Sequence, residues 1–170
     1  YIHYNKFDEM SDHVLYQLEK IKPLFSRVIL ISNSHLEKNY MRKLEMIGIT
    51  EIIQRANIGF DFAAWRDGME YVGFDHLKKY DSVTLMNDTC IGPLWSLEPY
   101  FRSFESAIDC DFWGMTNFKK TKYFQEHVQS YFVSYSQAVV SSKVFQKFWM
   151  SIKNFENVRQ VIDCYETKLT

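Results

Sequence analysis

The sequence predicts an α/β domain in which helices flank a Rossmann-like, mostly parallel sheet. Short aliphatic runs alternate along the first half of the chain with segments whose apolar residues recur at helical spacing. Such alternation is typical of strand–helix–strand units, which place parallel strands side by side with right-handed crossovers. The length of 170 residues suits a single domain, residues 1–170, with a sizeable core.

The first predicted unit is a strand, a helix and a second strand. Residues 1–4 form a short candidate strand, and Ser11 or Asp12 can cap the following helix because their side-chain oxygens accept backbone N–H groups. The apolar stripe of this helix consists of Val14, Leu15, Leu18 and Ile21. Pro23 follows as a stop signal. Residues 28–31 are a continuous aliphatic run, as expected of a strand buried on both faces.

Two more helices and two more strands continue the alternation. The first helix has its apolar face at Leu36, Tyr40, Leu44 and Ile47, and the second at Phe62, Trp65, Met69 and Val72. Gly48 and Gly73 are suited to end them, since glycine tolerates the backbone of a helix C-terminus. Residues 49–53 and 83–86 are the third and fourth predicted strands.

The pattern becomes less regular after Gly92-Pro93. Residues 111–115 and the aromatic, β-branched residues 131–140 are predicted strands. Ser141 or Ser142 is predicted to cap a last helix, whose apolar residues are Phe145, Phe148, Trp149 and Ile152.

The composition narrows the classes of partner and compartment. A net charge of -1 creates no field for nucleic acid or anionic lipid. The three cysteines form no C-x-x-C pair and fit a reducing cytoplasm as free thiols. We expect no signal peptide and no membrane span, because no apolar run approaches the length that crosses a bilayer.

Asn87-Asp88-Thr89 follows the fourth predicted strand directly. In open α/β sheets, ligands bind beyond the carboxyl ends of strands. Asp88 can hold Mg²⁺ or Mn²⁺ against a diphosphate, because hard cations take carboxylate and phosphate oxygens. Asn87 offers only a neutral oxygen, so a metal site would rest on Asp88. The alternative is an Asx turn that closes the strand.

A second polar group precedes the Phe62 helix. Gly59 can adopt a positive φ and let a ligand approach the backbone closely. Arg55 can bind a phosphate in bidentate fashion or form a surface salt bridge. Asp61 can contact a ligand or cap the helix. With Asn57, these residues form a candidate site for a charged, hydroxyl-rich ligand.

Three residues elsewhere are open to functional and structural interpretations. His127 is a candidate ligand or a packed imidazole. His3, at the end of the first strand, can face a base or ribose. Glu166 can act as general base for a hydroxyl that comes within hydrogen-bond reach, or can interact with a helix dipole.

Six segments, taken together, resemble the rhamnan synthesis protein F family, bacterial glycosyltransferases of cell-surface polysaccharide assembly. They are H-Y-N at 3–5, I-L-I-S-N-S at 29–34, R-A-N-I-G-F-D-F-A-A-W at 55–65, Y-D-S-V-T-L-M-N-D-T-C-I-G-P at 80–93, H-V-Q-S-Y-F-V-S-Y at 127–135 and Y-E-T-K-L-T at 165–170. The resemblance covers nearly the whole chain, and residues 57–93 carry its most specific part.

The resemblance implies a fold of the GT-A glycosyltransferase type. It divides the chain into a nucleotide-sugar-binding half, residues 1–93, and an acceptor-side half, residues 94–170, truncated at its C-terminus. It implies a donor such as dTDP-L-rhamnose, and transfer with inversion to a hydroxyl on a growing, lipid-linked glycan. It also implies a cytoplasmic location at the inner face of the cell membrane, with membrane contact only through segments or partners outside this chain.

The resemblance also assigns roles to residues. The donor-binding residues are Ser32, Arg55, Asn57, Gly59, Asp61 and Asn87. The acceptor-binding residues are His127, Gln129, Ser130 and Tyr131. Asp88 would hold the cation or the sugar phosphate, and Glu166 would be the catalytic base. The paired-Asp motif common in GT-A enzymes is absent here, which motivates one alternative, a non-catalytic module that binds a nucleotide sugar or glycan. A phosphohydrolase is disfavoured, because its D-x-D-x-T motif would follow the first strand.

Overall fold

The computed structural model describes residues 1–107 and 109–168. Its first sheet contains β1 (Ile2–His3), β2 (Ile29–Ser32) and β3 (Glu51–Gln54), all parallel. Ile2 lies opposite Ile31 in the β1–β2 pair, and Leu30 lies opposite Ile52 in the β2–β3 pair. The predicted parallel arrangement is confirmed for these three strands.

Helices connect these strands as the periodicity predicts. They are α1 (Asp12–Ile21), α2 (Lys38–Met46), α3 (Phe60–Val72) and the short α4 (Phe74–Leu77). Pro23 lies in a 3₁₀ turn, Lys22–Leu24, that ends α1. Gly73 ends α3 with φ +85°, a conformation that glycine adopts without steric cost.

The fourth strand departs from the prediction of a mostly parallel sheet. β4 (Ser82–Met86) pairs antiparallel with a strand from the second half of the chain, which also pairs antiparallel with β5 (Phe112–Gly114). Within the described ranges, the backbone link between the two sheets is an isolated parallel bridge from Ile2 to Asn87. The partner strand from the second half pairs with all five residues of β4, whereas β1 has only two residues.

The second half is built from short elements. α5 (Glu98–Glu105) precedes β5, and the hairpin strands β6 (Asn117–Phe118) and β7 (His127–Val128) follow it. The prediction of one strand over residues 131–140 is wrong at its end. β8 (Phe132–Ser136) stops where the Ser136 side chain accepts a hydrogen bond from the Val139 backbone, which starts α6 (Gln137–Val140).

The C-terminal helices pack on α3. They are α7 (Lys143–Met150), capped by Ser142 as predicted, and α8 (Val158–Cys164), followed by a 3₁₀ turn, Glu166–Lys168. Trp149 is fully buried and its ring stacks on Phe62, which also stacks on Tyr165. The last two residues of the Y-E-T-K-L-T motif lie outside the described residues.

Core residues cover both faces of the first sheet. Leu30 packs in a cluster with α1, α2 and α5, whereas its neighbour Ile31 packs in a cluster with α3, α7 and α8. Successive strand residues point to opposite faces. The carboxyl ends of β1, β2 and β3 are therefore left as an edge where polar side chains can gather.

Candidate functional site

The Ile2–Asn87 bridge places the end of β1 beside the end of β4. The next residue on each strand is polar, and the two side chains meet. Asp88 Oδ2 lies 2.7 Å from His3 Nδ1 and accepts a hydrogen bond from the Tyr4 backbone N–H at 3.0 Å. The first strand therefore fixes the position of the Asp88 carboxylate.

Asn87 connects this carboxylate to a second one. Its Nδ2 donates to Asp61 Oδ2 at 2.8 Å, and its backbone N–H donates to the Tyr131 carbonyl at 3.1 Å. Its Oδ1 accepts from the Thr89 backbone at 3.2 Å and from the Thr89 hydroxyl at 2.7 Å. The Asx turn expected as an alternative is therefore present, and it is formed by the Asn87 side chain without using the Asp88 side chain.

Asp61 shows that three carboxylates share this region. Burial raises the pKa of Asp61, and the negative charges of Asp88 and Glu166 raise it further, while the hydrogen bond from Asn87 lowers it. Asp61 lies in the first turn of α3, but the N-cap residue is Gly59. The expectation that Asp61 caps this helix is therefore wrong, because the cap position is two residues earlier, at Gly59.

Glu166 reaches the site from the C-terminal end of the described chain. Its Oε1 accepts hydrogen bonds from the Ser130 hydroxyl at 2.7 Å and the Ser130 backbone at 3.3 Å. The preceding residue, Tyr165, is buried, and its hydroxyl accepts from the Lys153 backbone at 2.8 Å. These bonds hold the Glu166 carboxylate on the side of the site formed by β7 and β8.

The other residues predicted on the acceptor side are engaged within the chain. His127 is buried, with Nδ1 2.9 Å from the Gln125 carbonyl and its ring stacked on Phe118. The Gln129 backbone and side chain both bond to Thr116, at 3.0 and 2.8 Å. Tyr131 contributes its carbonyl to Asn87. The structure thus brings Ser130 to Glu166, while His127 and Gln129 stabilise the β6–β7 hairpin and its exit.

Arg55 uses its guanidinium inside the protein. It donates to Asp67 Oδ2, to Asn33 Oδ1 and to the Ile58 carbonyl, each at 2.7 Å, and its side chain is only 12% exposed. Ser32 is fully buried, and its hydroxyl donates to the Ser34 carbonyl at 2.8 Å. The polar atoms of both residues therefore shape the loops beyond β2 and β3.

Gly59 has the positive φ that its sequence context predicts, +73°. Its backbone N–H donates to the Phe155 carbonyl at 2.9 Å. A Cβ at this position would lie 2.5 Å from the Ala63 Cβ and 3.0 Å from the Asn154 Cα. The close approach that glycine permits is thus made by the chain itself, and Asn57 is half-buried on the same loop.

His3 is the residue whose position the sequence did not reveal. Its place at a strand end predicts a contact with a base or ribose, but its partner in the structure is Asp88. The contact forms because β1 and β4 are neighbours in space, although they are far apart along the chain. The feature of the sequence that points to this contact is the polar residue at the end of each strand.

The described residues contain no group of three or more His, Cys, Asp or Glu side chains that could hold a metal ion. Asp88 offers one carboxylate, with Oδ2 already accepting two hydrogen bonds. This donor set fits a cation only if phosphate oxygens complete its coordination, as Mg²⁺ sites in proteins often require. Within residues 1–107 and 109–168, no helix has the length and apolar character needed to cross a bilayer.

The fold and site define a mixed α/β protein with amide and carboxylate side chains gathered at adjoining strand ends. The chain belongs to the rhamnan synthesis protein F family, whose profile matches residues 28–170. This confirms the family that the sequence motifs indicated and connects the chain to polysaccharide synthesis. No solved structure matches it.

Three curated relatives extend the comparison. The chain is 32% identical over 166 residues to the uncharacterized protein y4gN of Sinorhizobium fredii. The matched segment covers 95% of this chain and 42% of y4gN. It is 30% identical over 100 residues to two sequences of virulence protein VirA from Vibrio anguillarum, covering 58% of this chain and 30% of each relative. The chain therefore spans less than half the length of these relatives.

Proposed function

We propose that this chain is the donor-binding part of an inverting glycosyltransferase in cell-surface polysaccharide synthesis. The observation that carries the proposal is a chain of hydrogen bonds through Asn87, the neighbour of Asp88. Asn87 bonds to Asp61 and to the Tyr131 carbonyl, and the residue before Tyr131, Ser130, bonds to Glu166. Acidic and amide groups in this position suit a sugar, whose hydroxyls need acceptors, and a cation-bound diphosphate. Membership in the rhamnan synthesis family supports rhamnose as the transferred sugar and dTDP-rhamnose as the donor.

The order of strands supports a fold of the GT-A type for the intact protein. The pairings run β3–β2–β1, and the Ile2–Asn87 bridge places β4 on the other side of β1. The chain builds outward from β1 in one direction with β2 and β3, and in the other direction with β4. The reversal therefore falls between β1 and β4, and open α/β sheets bind nucleotides at such a position. The contact between His3 and Asp88 lies at this point of the strand order.

In the proposed reaction, Glu166 is the general base. Ser130 holds its Oε1, which leaves Oε2 to take the proton from an acceptor hydroxyl. The acceptor oxygen then bonds to the anomeric carbon while the bond from that carbon to the diphosphate oxygen breaks. The nucleoside diphosphate leaves with the electron pair, and the stereochemistry at the anomeric carbon inverts.

The donor site in this proposal comprises residues with two kinds of role. Asp88 would hold a Mg²⁺ or Mn²⁺ ion together with the diphosphate, and the ion would neutralise charge on the leaving group. Asn57, Asp61 and Asn87 are proposed donor contacts. Ser32, Arg55 and Gly59 would set the shape of the loop, because their polar or backbone groups already bond within the chain.

The acceptor is proposed to be a growing lipid-linked glycan at the cytoplasmic face of the cell membrane. Ser130 and Tyr131 lie beside Glu166 and Asn87, so a hydroxyl presented there would be within reach of the base. His127 would support this wall from behind, since it is buried and stacked on Phe118.

The test is transfer from dTDP-rhamnose to a lipid-linked acceptor by the full-length protein that contains this chain. Asp88→Asn keeps an oxygen for His3 and Tyr4 but removes the charge, and we expect transfer to fall by about 10³-fold. Asp75→Asn is the matched control, because the Asp75 side chain is 94% exposed and pairs only with Lys78 in the structure described. Normal turnover by the Asp88 variant would overturn the proposal.

A non-catalytic module that binds a nucleotide sugar is the second candidate. The observation in its favour is the neutral Asn87 next to Asp88, which leaves one carboxylate where paired acids are common. Calorimetric titration with dTDP-rhamnose and a hydrolysis assay on the same full-length protein distinguish the two. Binding without hydrolysis or transfer would favour the module.

A further inference from the structure

His3 is an unusual partner for a surface carboxylate because it is almost fully buried. Its side chain is 1% exposed, and its Nδ1 lies 2.7 Å from Asp88 Oδ2. Its other ring nitrogen, Nε2, is buried and has no hydrogen-bond partner within the described part of the chain. Buried polar groups usually have a hydrogen-bond partner, so the contact through Nδ1 is the bond that holds this ring.

The contact with Asp88 requires a hydrogen on Nδ1 of the His3 ring. A carboxylate oxygen at 2.7 Å requires a donor, so Nδ1 carries the hydrogen. Among the described residues Nε2 has no partner, so the contact with Asp88 is the hydrogen bond that fixes the orientation of this ring.

The two donors also determine which carboxylate oxygen is available. His3 Nδ1 and the Tyr4 backbone N–H both approach Oδ2, which leaves Oδ1 without a bond to either. We infer that His3 is a positioning residue that directs Asp88 Oδ1 toward the diphosphate or cation of the donor. The inference rests on the proposed function and adds to it the residue that orients the key carboxylate.

Three substitutions of His3 test this role through full-length protein activity. His3→Asn places an amide N–H near the position of Nδ1, whereas His3→Gln places one near Nε2, and His3→Ala places none. We expect His3→Asn to keep donor kcat/KM within about 5-fold of the original, and the other two to lose about 10–100-fold, as is usual for groups that orient a ligand-binding side chain. The KM for the acceptor should stay unchanged.

His13→Ala is the matched control. His13 Nε2 lies 3.4 Å from the backbone oxygen of Asp88, so it is a histidine near the same residue that does not touch the carboxylate. We expect its donor kcat/KM to change less than about 3-fold, since the contact is long for a hydrogen bond. Equal activity of His3→Gln and His3→Asn, or unchanged activity of all three His3 variants, would overturn the inference.

Thermal unfolding of the same variants separates positioning from support of the fold. A purely structural role would lower stability without a difference in kcat/KM between folded His3→Asn and folded His3→Gln. If His3→Ala does not fold, the Asn and Gln pair still decides the question, because both carry an amide and the extra methylene of Gln moves its N–H group.

Nitrogen NMR of the histidine rings gives a readout that does not need activity. We expect His3 to be the Nδ1–H tautomer in the full-length protein, and its Nδ1 signal to shift in Asp88→Asn. An Nε2–H tautomer would overturn the inference. If the original protein transfers no sugar, the proposed function fails by itself. Binding of dTDP with Mn²⁺ to His3→Asn and His3→Gln then decides the role of His3, with equal affinities counting against it.

Discussion

Two regions of the long motif in residues 55–93 look alike in sequence but differ in the structure. In the loop before α3, the Arg55 guanidinium donates hydrogen bonds to three acceptors within the protein, and Gly59 packs against Asn154. At the end of β4, Asp88 keeps a carboxylate oxygen free of the bonds from His3 and Tyr4. Polar residues after a strand can therefore either build the edge of a site or provide its chemistry.

The loop before α3 and the helix itself both bond to the second half of the chain. The Gly59 backbone donates to the Phe155 carbonyl, and Arg66, on α3, donates to the Ile152 carbonyl at 2.6 Å and to Asn154 Oδ1 at 3.1 Å. These bonds place the segment before α8 next to α3. Since α8 leads to Glu166, the loop contributes to the site by positioning another element.

The largest effect that would sharpen this comparison is expected at Glu166. Glu166→Gln keeps an oxygen for the Ser130 hydroxyl but cannot accept a proton, so kcat should fall by about 10²–10⁴-fold. The stability should change little. Single-turnover transfer by the full-length protein measures the loss, and Glu156→Gln, on an exposed residue, serves as control. A kcat near the original would remove Glu166 from the role of base.

Gly59→Ala should show the opposite profile, with a large effect on stability. The positive φ and the contact of 2.5 Å with Ala63 both oppose a side chain, so the free energy of unfolding should fall by about 3 kcal/mol. Gly73→Ala isolates the backbone effect, because φ is +85° there and a Cβ would meet nothing within 4 Å. That variant should lose about 1–2 kcal/mol. Equal losses in urea denaturation would contradict the packing argument.

Arg55→Lys should cause a smaller loss. Lysine keeps the charge but lacks the planar fork that reaches Asp67, Asn33 and Ile58 together, so stability should fall by about 1–2 kcal/mol. Arg159→Lys is the control, since its ion pair with Asp163 is exposed and should be worth less than about 0.5 kcal/mol. A large loss of donor affinity in Arg55→Lys, with stability unchanged, would instead indicate direct contact with phosphate.

Asp61→Asn should have the smallest effect on the fold, with a small gain in stability at neutral pH. Burial and two neighbouring charges raise the pKa of Asp61, so the native state binds a proton more readily than the unfolded state. Stability from this group is therefore lost as the pH rises above its ordinary value of 3.8. Asparagine removes that loss while keeping an oxygen for Asn87.

The measurement for Asp61→Asn is unfolding at several pH values. The gain over the original protein should shrink as the pH falls toward 3.8 and vanish below it. Asp75→Asn provides a control of opposite sign, because the hydrogen bond from Lys78 lowers the pKa of Asp75. A gain at low pH that is lost at neutral pH would show that Asp61 is not under repulsion.

The sequence predicted the alternation of strands and helices because each apolar face has a clear period. It did not predict that β4 pairs antiparallel with β8, because pairing between distant strands depends on contacts that leave no local pattern. It also missed α6, where Val139 and Val140 favoured a strand but the Ser136 side chain starts a helix.

The candidate site could be predicted as a set of strand-end residues. The sequence could not show which of them bond within the protein and which remain free for a ligand. Asp61 looked like a helix cap because it precedes apolar helical residues, yet Gly59 takes that position through its bond to Phe155. Arg55 looked like a phosphate ligand because Asn33 and Asp67, its partners, come from other elements. Only the packing of distant segments shows which polar groups are already satisfied.

The seam between the two sheets has a consequence for how this protein can be studied. Side chains join the end of β4 to β1 and to α3: Asp88 contacts His3, Asn87 donates to Asp61, and Trp65 donates to the Met86 carbonyl at 3.3 Å. Substitution by alanine there would remove structural hydrogen bonds and site chemistry together. An alanine scan could therefore not separate a loss of stability from a loss of activity. Isosteric exchange of acid for amide keeps the hydrogen bonds that hold the two sheets together. Such substitutions can therefore report on chemistry in this region separately from assembly.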